Sequence, residues 1–217
     1  MEKFKNIFLP KNPERLAKIK LIFASQNKGK LREIKKILAD LKIDIASARE
    51  AGITKDIKET GKTFEENAFK KAKIICQKTK AWVIAEDSGL CIKALAGKPG
   101  VKTARWAGPD ATDEMLVQYT LNKLKNIPQN RRQAYFQTAA VLISPAGKYW
   151  IFNGRTDGEI SLIPKGKNRV KLPYDRIFIP QGYTKTFAQM SDRQKNELSH
   201  RGRAFSKLKK FLKNKVS

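Results

Sequence analysis

Residues 81–90, AWVIAEDSGL, place two adjacent carboxylates directly after an unbroken apolar run. Such a run beside a Ser-Gly turn is typical of a strand that is buried on both faces. We therefore predict a central strand over 81–87 that ends at Glu86 and Asp87. Successive strand residues face opposite ways, so Asp87, next to the turn, is the carboxylate expected in a cleft. An exposed turn that carries both acids remains the alternative.

Strand and helix signals alternate on either side of this strand. Upstream, the patterns predict a strand over 20–25, a loop over 25–30, a helix over 31–41 and a short strand over 43–46. A capping box in TFEE, residues 63–66, begins the helix that leads into the central strand. Downstream, the predicted elements are a helix capped by Asp110 or Thr112, a hairpin of strands 133–143 and 148–160, a Gly- and Lys-rich loop over 164–171, and two C-terminal helices, the first capped by Ser191. This mixture predicts an α/β fold with a long mixed central β-sheet.

The length of the chain is enough for one large domain or two small lobes. The chain has 217 residues, 41% of them hydrophobic, and we predict an N-terminal extension over 1–19 and a single domain over 20–217. No apolar run reaches the roughly 18 residues of a membrane span. The charged N-terminus has no signal-peptide core, so a cytoplasmic protein is expected. Cys76 and Cys91 have neither disulfide nor zinc spacing and are expected to be small buried residues.

The charge balance is strongly basic, with 46 Lys and Arg against 20 Asp and Glu and a net charge of +26. Such a balance attracts polyanions. The segment after His200 is densest in cations and contains no acid. A nucleic-acid-binding protein is therefore an alternative, although no recognisable binding motif supports it. A solvated Lys-rich surface explains the charge equally well, because basic charge alone names no partner.

Two segments carry residues suited to phosphate chemistry. The loop Ser25-Gln26-Asn27-Lys28-Gly29-Lys30 joins a strand to a helix N-terminus, where free N–H groups favour an anion. It lacks the spacing of the common nucleotide-binding lysine loop. Asp87, with Glu59 from a Gly-adjacent loop, could hold Mg²⁺, which prefers carboxylates, water and phosphate oxygens. A carboxylate could then accept the proton of a water that attacks phosphorus. The single histidine and the absence of Gly-x-Ser-x-Gly argue against a zinc site and a serine hydrolase.

Six stretches, taken in order, resemble the inosine triphosphate pyrophosphatase family over about residues 20–212. They are IFASQNKGKLREI, ETGKTFEENAFKKAK, IAEDSGLCIKALAGKPGVKTARWAG, GRTDGEI, YDRIFIPQGYTKTFAQMS and KNELSHRGRA. The resemblance implies two α/β lobes around a central cleft and assembly as a homodimer. It also implies Mg²⁺-dependent hydrolysis of a nucleoside triphosphate to the monophosphate and pyrophosphate. The implied substrates are small-molecule purine nucleotides with a 6-keto base, such as ITP, dITP and XTP.

The same resemblance implies a role for individual residues. Asp87 is the implied proton acceptor, and Glu59 and Asp87 are the implied Mg²⁺ ligands. The residues expected to bind the triphosphate or the nucleoside are Ser25, Gln26, Asn27, Lys28, Gly29, Lys30, Lys71, Ser88, Leu172, Pro173, Tyr174, Asp175, Lys195, His200 and Arg201. Among these, the last three would meet the base. A buried donor left unpaired costs about 1–3 kcal/mol, so donors there would disfavour adenine's 6-amino group.

The sequence departs from the family in three places. The first loop usually begins Thr-Gly-Asn but here reads Ser25-Gln26-Asn27, and the usual Asp-Asp pair is Glu86-Asp87. The base loop usually reads Gly-Phe-Gly-Tyr-Asp-Pro, whereas residues 171–176 read KLPYDR, so Leu172 replaces the aromatic residue. Base stacking contributes roughly 1–3 kcal/mol. We therefore hypothesise weaker or altered base selectivity. This departure keeps a third alternative open, a related nucleotide phosphohydrolase that acts on modified pyrimidine or ordinary nucleotides.

Overall fold

The computed structural model describes residues 20–41 and 43–216; the extension predicted over 1–19 lies outside this range. Within it the chain forms six strands and five α-helices. The strands are β1 (Lys20–Phe23), β2 (Asp44–Ser47), β3 (Trp82–Ile92), β4 (Gln133–Ile143), β5 (Tyr149–Ile160) and β6 (Phe178–Pro180). The helices are α1 (Lys28–Ile37), α2 (Phe64–Thr79), α3 (Asp113–Lys123), α4 (Asp192–Leu198) and α5 (His200–Val216). None of these helices combines the length and apolar character that a membrane span requires.

All six strands form one mixed sheet, in the order β2-β1-β3-β4-β5-β6. Strand β1 runs parallel to both β2 and β3, and the remaining pairs are antiparallel. The predicted hairpin is confirmed: β4 and β5 pair along their whole length, from Gln133 opposite Glu159 to Ile143 opposite Tyr149. The predicted α/β class with a long mixed sheet is therefore confirmed.

Strand β3 does not end at the two acids, and that prediction is wrong. Its antiparallel ladder with β4 continues to Ile92, which carries the strand through Glu86 and Asp87. The strand that ends here is β1, whose pairing with β3 stops at Phe23 opposite Ile84. Glu86 is 0% and Asp87 4% exposed, so the exposed-turn alternative is also wrong. The acids lie just beyond the point where β3 loses its parallel neighbour, and that loss opens the sheet to a cleft.

The two ends of the long strands belong to two lobes. In the first lobe, α1 and α5 pack on one face of the sheet through residues such as Ile34 and Phe205. Helix α2 packs on the opposite face of the same lobe, with Ala68 and Ala72 against the strands. The second lobe contains the far ends of β3 and β4 together with β6 and α3. Alternation along β3 therefore directs Glu86 toward the α5 face and Asp87 toward the α2 face.

Candidate active site

The cleft between the lobes contains two adjoining cavities. One, of about 400 Å³, lies beside the first loop and is bordered by Glu59, Lys71 and Arg105. The other, of about 290 Å³, lies between the lobes and is bordered by Leu172 and His200. Asn27, Lys30 and Ala104 border both. A ligand that fills both cavities would therefore cross the N-terminus of α1.

The N-terminus of α1 is organised by Asn27. Its side chain caps the helix by accepting a hydrogen bond from the Lys30 N–H at 3.1 Å. The Asn27 N–H in turn donates to the hydroxyl of Ser25 at 3.1 Å. Ser25 and Gln26 border the first cavity, whereas the Lys28 side chain lies on the outer surface of α1. Free N–H groups and the helix dipole make this end of α1 suited to an anion.

Glu59 faces two cations across the first cavity. The ammonium of Lys71 donates to its carboxylate at 2.6 Å, and the guanidinium of Arg105 lies 3.6 Å away. Lys71 also donates to the carbonyl of Glu86 at 2.7 Å, so it joins the Glu59 loop to β3. Burial raises the pKa of Glu59, but the charge and hydrogen bond of Lys71 and the charges of Lys30 and Arg105 together outweigh burial, so the net shift of the pKa is downward. Arg105 had not been identified from the sequence.

Asp87 does not itself line either cavity; it is buried behind them with both carboxylate oxygens hydrogen-bonded. One oxygen accepts from the side-chain amide of Asn67 at 2.9 Å, and the other accepts from the Ser88 N–H at 2.9 Å. Burial raises the pKa of Asp87 above its ordinary value, and the charges of Lys71 and Lys30 only partly oppose this. The nearby charge of Glu59 raises the pKa further. The carboxylate thus lies in a site that a cation would stabilise.

Glu86 lies on the opposite face of β3 and binds the protein's own cations. Its carboxylate is 2.9 Å from the ammonium of Lys30 and 3.1 Å from the guanidinium of Arg201. The hydroxyl of Thr138 donates to it at 2.9 Å. Burial raises the pKa of Glu86, but Arg201 and Lys30 reverse the effect and hold it well below the usual range. The adjacent acids therefore have different surroundings: Glu86 is neutralised within the protein and Asp87 is not.

The second cavity has an aromatic floor. His200, 3% exposed, stacks on Phe136 with ring centres 4.5 Å apart and planes 10° from parallel. Burial and the charge of Arg201 hold the pKa of His200 well below its ordinary value, so the ring is neutral. Among the described residues, its Nδ1 has no hydrogen-bond partner. Arg201 donates to the Ser88 hydroxyl at 3.1 Å, which places both of these residues at the cavity wall.

The loop 169–172 closes the cavity from the side of α3. The Lys171 N–H donates to Asp113 at 3.0 Å, and its carbonyl accepts from the Asn27 amide at 3.2 Å. Lys171 holds a left-handed conformation, with φ of 59°, where the family usually has glycine. Leu172 and Pro173 border the cavity directly. The loop 169–172 is therefore connected by one hydrogen bond to the first loop, residues 25–30, and by another to α3.

Of Tyr174, Asp175 and Lys195, only the first two line the second cavity. The Tyr174 hydroxyl donates to the Thr103 carbonyl at 2.9 Å. Lys195 is 1% exposed and does not border either cavity; its ammonium binds Asp175 and, at 2.5 Å, Glu33. Glu33 also accepts from Arg201 at 2.5 Å. The sequence offered no local sign of this Glu33 network, because its members lie on different elements.

Gly29 is required where the two loops meet. A Cβ atom at this position would lie 2.4 Å from the Val170 carbonyl oxygen and 3.1 Å from the Leu172 side chain. Gly29 is thus the point at which the first loop, residues 25–30, contacts the loop 169–172.

The donor set at Glu59 and Asp87 is compatible with Mg²⁺. Among the described residues, no group of three or more His, Cys, Asp and Glu side chains forms a closed metal site. Mg²⁺ does not need one, because it is usually held by one or two carboxylates together with waters and substrate phosphates. The raised pKa of Asp87 fits this arrangement, since a carboxylate without a counter-charge is stabilised when a cation binds.

Comparisons with known proteins agree on one family. The profile of the Ham1 family matches residues 21–211. The dITP/XTP pyrophosphatase of Bacillus subtilis (strain 168) is 40% identical over 177 residues, which cover 82% of this chain and 88% of the relative. The dITP/XTP pyrophosphatase of Clostridium perfringens (strain 13 / Type A) is 42% identical over 184 residues, covering 82% and 89%.

Solved structures agree with the sequence relatives. A HAM1 protein from Coxiella burnetii superposes with a TM-score of 0.80 at 37% identity, covering 90% of this chain and 99% of that one. The Staphylococcus aureus Ham1 protein superposes with a TM-score of 0.78, also at 37% identity, covering 90% and 98%. The fold and the family therefore rest on both sequence and structure.

Proposed function

The chain belongs to the Ham1 family, and from that premise we propose that it is a Mg²⁺-dependent nucleoside triphosphate pyrophosphatase. Its proposed substrates are ITP, dITP and XTP, which it converts to the monophosphate and pyrophosphate. One observation carries the proposal: a cavity lined by Glu59 and by cations, two of which also act on the buried Asp87, adjoins a cavity with an aromatic floor, and both meet at Asn27 and Lys30. Relatives with 40% and 42% identity are named dITP/XTP pyrophosphatases, which supports the choice of substrates.

The triphosphate is proposed to lie across the N-terminus of α1. Ser25, Gln26 and Asn27 border that cavity, and Lys30 and Lys71 supply positive charge. These charges would stabilise the negative charge that gathers on the phosphate oxygens in the transition state. The strongly basic chain would also favour capture of a multiply charged anion.

Asp87 is proposed to accept the proton of the attacking water. Burial raises its pKa, which brings the carboxylate nearer to the working pH and makes it a better proton acceptor. Glu59 and Asp87 would hold Mg²⁺, which when bound supplies charge neutralisation to the phosphates. Lys71, which lines the first cavity and pairs with Glu59 at 2.6 Å, is proposed to contact the phosphate oxygens as well.

Base recognition is proposed to occur in the second cavity. Neutral His200 presents one donor and one acceptor nitrogen, and Arg201 adds donors at the wall. Lys195 would act through Asp175, since its ammonium lies behind the cavity wall. Leu172 offers an apolar surface in place of an aromatic ring, so base selectivity is proposed to be weaker than in enzymes that stack the purine.

A nucleotide panel tests this function. Pyrophosphate release is measured with ITP, dITP, XTP, GTP, ATP and dUTP, each with Mg²⁺ and again with excess EDTA. We expect Mg²⁺-dependent release that is fastest with the 6-keto purines ITP and XTP. Preferred turnover of a pyrimidine or of ATP would support the related phosphohydrolase. No turnover together with steeply salt-dependent RNA or DNA affinity would support nucleic-acid binding.

The assembly and location remain predictions from the family resemblance. We propose a homodimer in the cytoplasm, and light scattering coupled to size exclusion would test the dimer.

A further inference from the structure

Four side chains of α2 hold four consecutive residues of the loop that carries Glu59. The pairs are Glu66 with the Lys62 N–H, Asn67 with the Gly61 N–H, Lys70 with the Thr60 hydroxyl and Lys71 with the Glu59 carboxylate, at 2.6–2.8 Å. The loop thus runs along the first two turns of the helix in the opposite direction. A Cβ atom on Gly61 would lie 2.8 Å from the Asn67 side chain, so loop and helix are in direct contact.

Asn67 differs from the other three residues because its side chain also reaches β3. Its carbonyl oxygen accepts from the Gly61 N–H at 2.7 Å, and its amide nitrogen donates to Asp87 at 2.9 Å. The backbone N–H of Gly61 can only donate, so the amide orientation is determined: oxygen toward the loop and nitrogen toward the carboxylate. Asn67 is 1% exposed, so water does not compete for either bond.

These two bonds connect the proposed metal ligands. Asp87 receives one hydrogen bond from Asn67 and one from the Ser88 N–H, which leaves its carboxylate a single orientation. Glu59 lies two residues before Gly61 in the loop that Asn67 holds. A change at Asn67 would therefore alter the relative placement of both carboxylates.

We propose that Asn67 is a positioning residue that holds Glu59 and Asp87 in register with each other for the metal and the attacking water. This inference rests on the proposed function, which assigns those roles to the two carboxylates. Hydrogen-bonded partners of ligating carboxylates are commonly needed for full metal affinity and activity.

Two substitutions separate the bonds that Asn67 makes. Asn67→Asp keeps an acceptor for Gly61 but cannot donate to Asp87, and it adds a negative charge beside that carboxylate. Asn67→Ala removes both bonds. Lys70→Ala is the matched control, since Lys70 holds the same loop from the same helix face at Thr60 without contacting Asp87.

The kinetic test compares kcat and KM for ITP with Mg²⁺. We expect both Asn67 variants to lose about 10- to 100-fold in kcat, with KM changed by less than about threefold. Lys70→Ala should retain kcat within about threefold of wild type. A wild-type kcat in Asn67→Asp overturns the proposal, because the donor to Asp87 is then dispensable. A loss in Lys70→Ala equal to that in Asn67→Ala also overturns it, because general anchoring of the loop then explains the effect.

A measurement without turnover makes the outcome independent of the substrate. Mn²⁺ alone is titrated into each folded variant, and free Mn²⁺ is followed by electron paramagnetic resonance. Asn67→Ala should weaken Mn²⁺ binding about 10-fold, whereas Lys70→Ala should leave it unchanged. Equal affinities in wild type and Asn67→Ala overturn the proposal. If wild-type protein releases no pyrophosphate from any nucleotide, the proposed function fails, and the Mn²⁺ comparison still decides the role of Asn67.

Discussion

His200 should make the folded protein lose stability as the pH falls from 7 to 5. The ring is 3% exposed, and burial together with the charges of Arg201, Lys195 and Lys30 disfavours its protonation, although Glu86 favours it. The unfolded chain binds a proton at this residue below a pKa of about 6.5. Stability therefore rises with pH in this range, because the unfolded state holds the extra proton at low pH.

The size of the effect follows from linkage. If His200 stays neutral in the folded protein down to pH 5, the loss over 1.5 units below pH 6.5 is about 2 kcal/mol. It is the only histidine in the chain, so no second histidine contributes to the pH dependence of stability between pH 7 and 5. Asp87 and Asp175, whose pKa values are raised by burial, would act in the opposite direction. The contributions of these two aspartates to the pH dependence are the same in wild type and in His200→Gln, so they cancel when the two proteins are compared.

The assay is urea unfolding of both proteins at pH 7, 6 and 5, at constant ionic strength and protein concentration. The substitution should lower stability at pH 7, because the stacking on Phe136 is lost. Between pH 7 and 5, wild type should lose about 2 kcal/mol more than the variant. If the free energy of unfolding falls by the same amount in both proteins between pH 7 and 5, the reasoning is refuted. His200 would then be protonated in the folded protein and the cavity would be open to water.

Two further predictions concern the walls of the second cavity. Leu172→Phe should raise kcat/KM for ITP about fivefold, equivalent to roughly 1 kcal/mol of stacking; an unchanged kcat/KM would show that this position does not contact the base. Gly29→Ala should raise KM for ITP and lower the thermal midpoint, because its Cβ would lie 2.4 Å from the Val170 carbonyl and would displace the base loop. Overpacking of this kind typically costs about 1–3 kcal/mol, and a variant with wild-type KM and midpoint would contradict the close contact.

Local sequence patterns were sufficient for most of the fold. The bounds of the hairpin were predicted to within one residue, because its strands are long and a Pro- and Gly-containing turn separates them. Ser191 forms the predicted capping box, with both of its hydrogen bonds to Gln194 present. At Thr63 only one of the two hydrogen bonds of the predicted capping box forms, from the Glu66 N–H to the Thr63 side chain. The Glu66 side chain accepts from the Lys62 N–H rather than from the Thr63 N–H. Such features depend on neighbours within a few residues, which the sequence displays.

Long-range pairing explains the prediction that was wrong. Two adjacent acids suggested the end of β3, because an unpaired buried carboxylate is costly. Glu86 is buried inside the strand because Lys30 and Arg201 neutralise it, and both come from helices distant in sequence. Asn67 was missed as a site residue for the same reason, since its partners Gly61 and Asp87 meet only in the folded chain.

The central claim is that Asp87 accepts the proton in Mg²⁺-dependent release of pyrophosphate. Asparagine at this position can still accept from Ser88 and removes a buried charge, but its NH2 group then faces the Asn67 amide, which is also a donor. Asp87→Asn should therefore fold with an unchanged circular dichroism spectrum, although its thermal midpoint is expected to change. The decisive measurement is pyrophosphate release from ITP with Mg²⁺ by wild type and by this variant. We predict a loss of about 10²- to 10⁴-fold in kcat, the usual contribution of a general base. A folded variant within about tenfold of wild type would contradict the account.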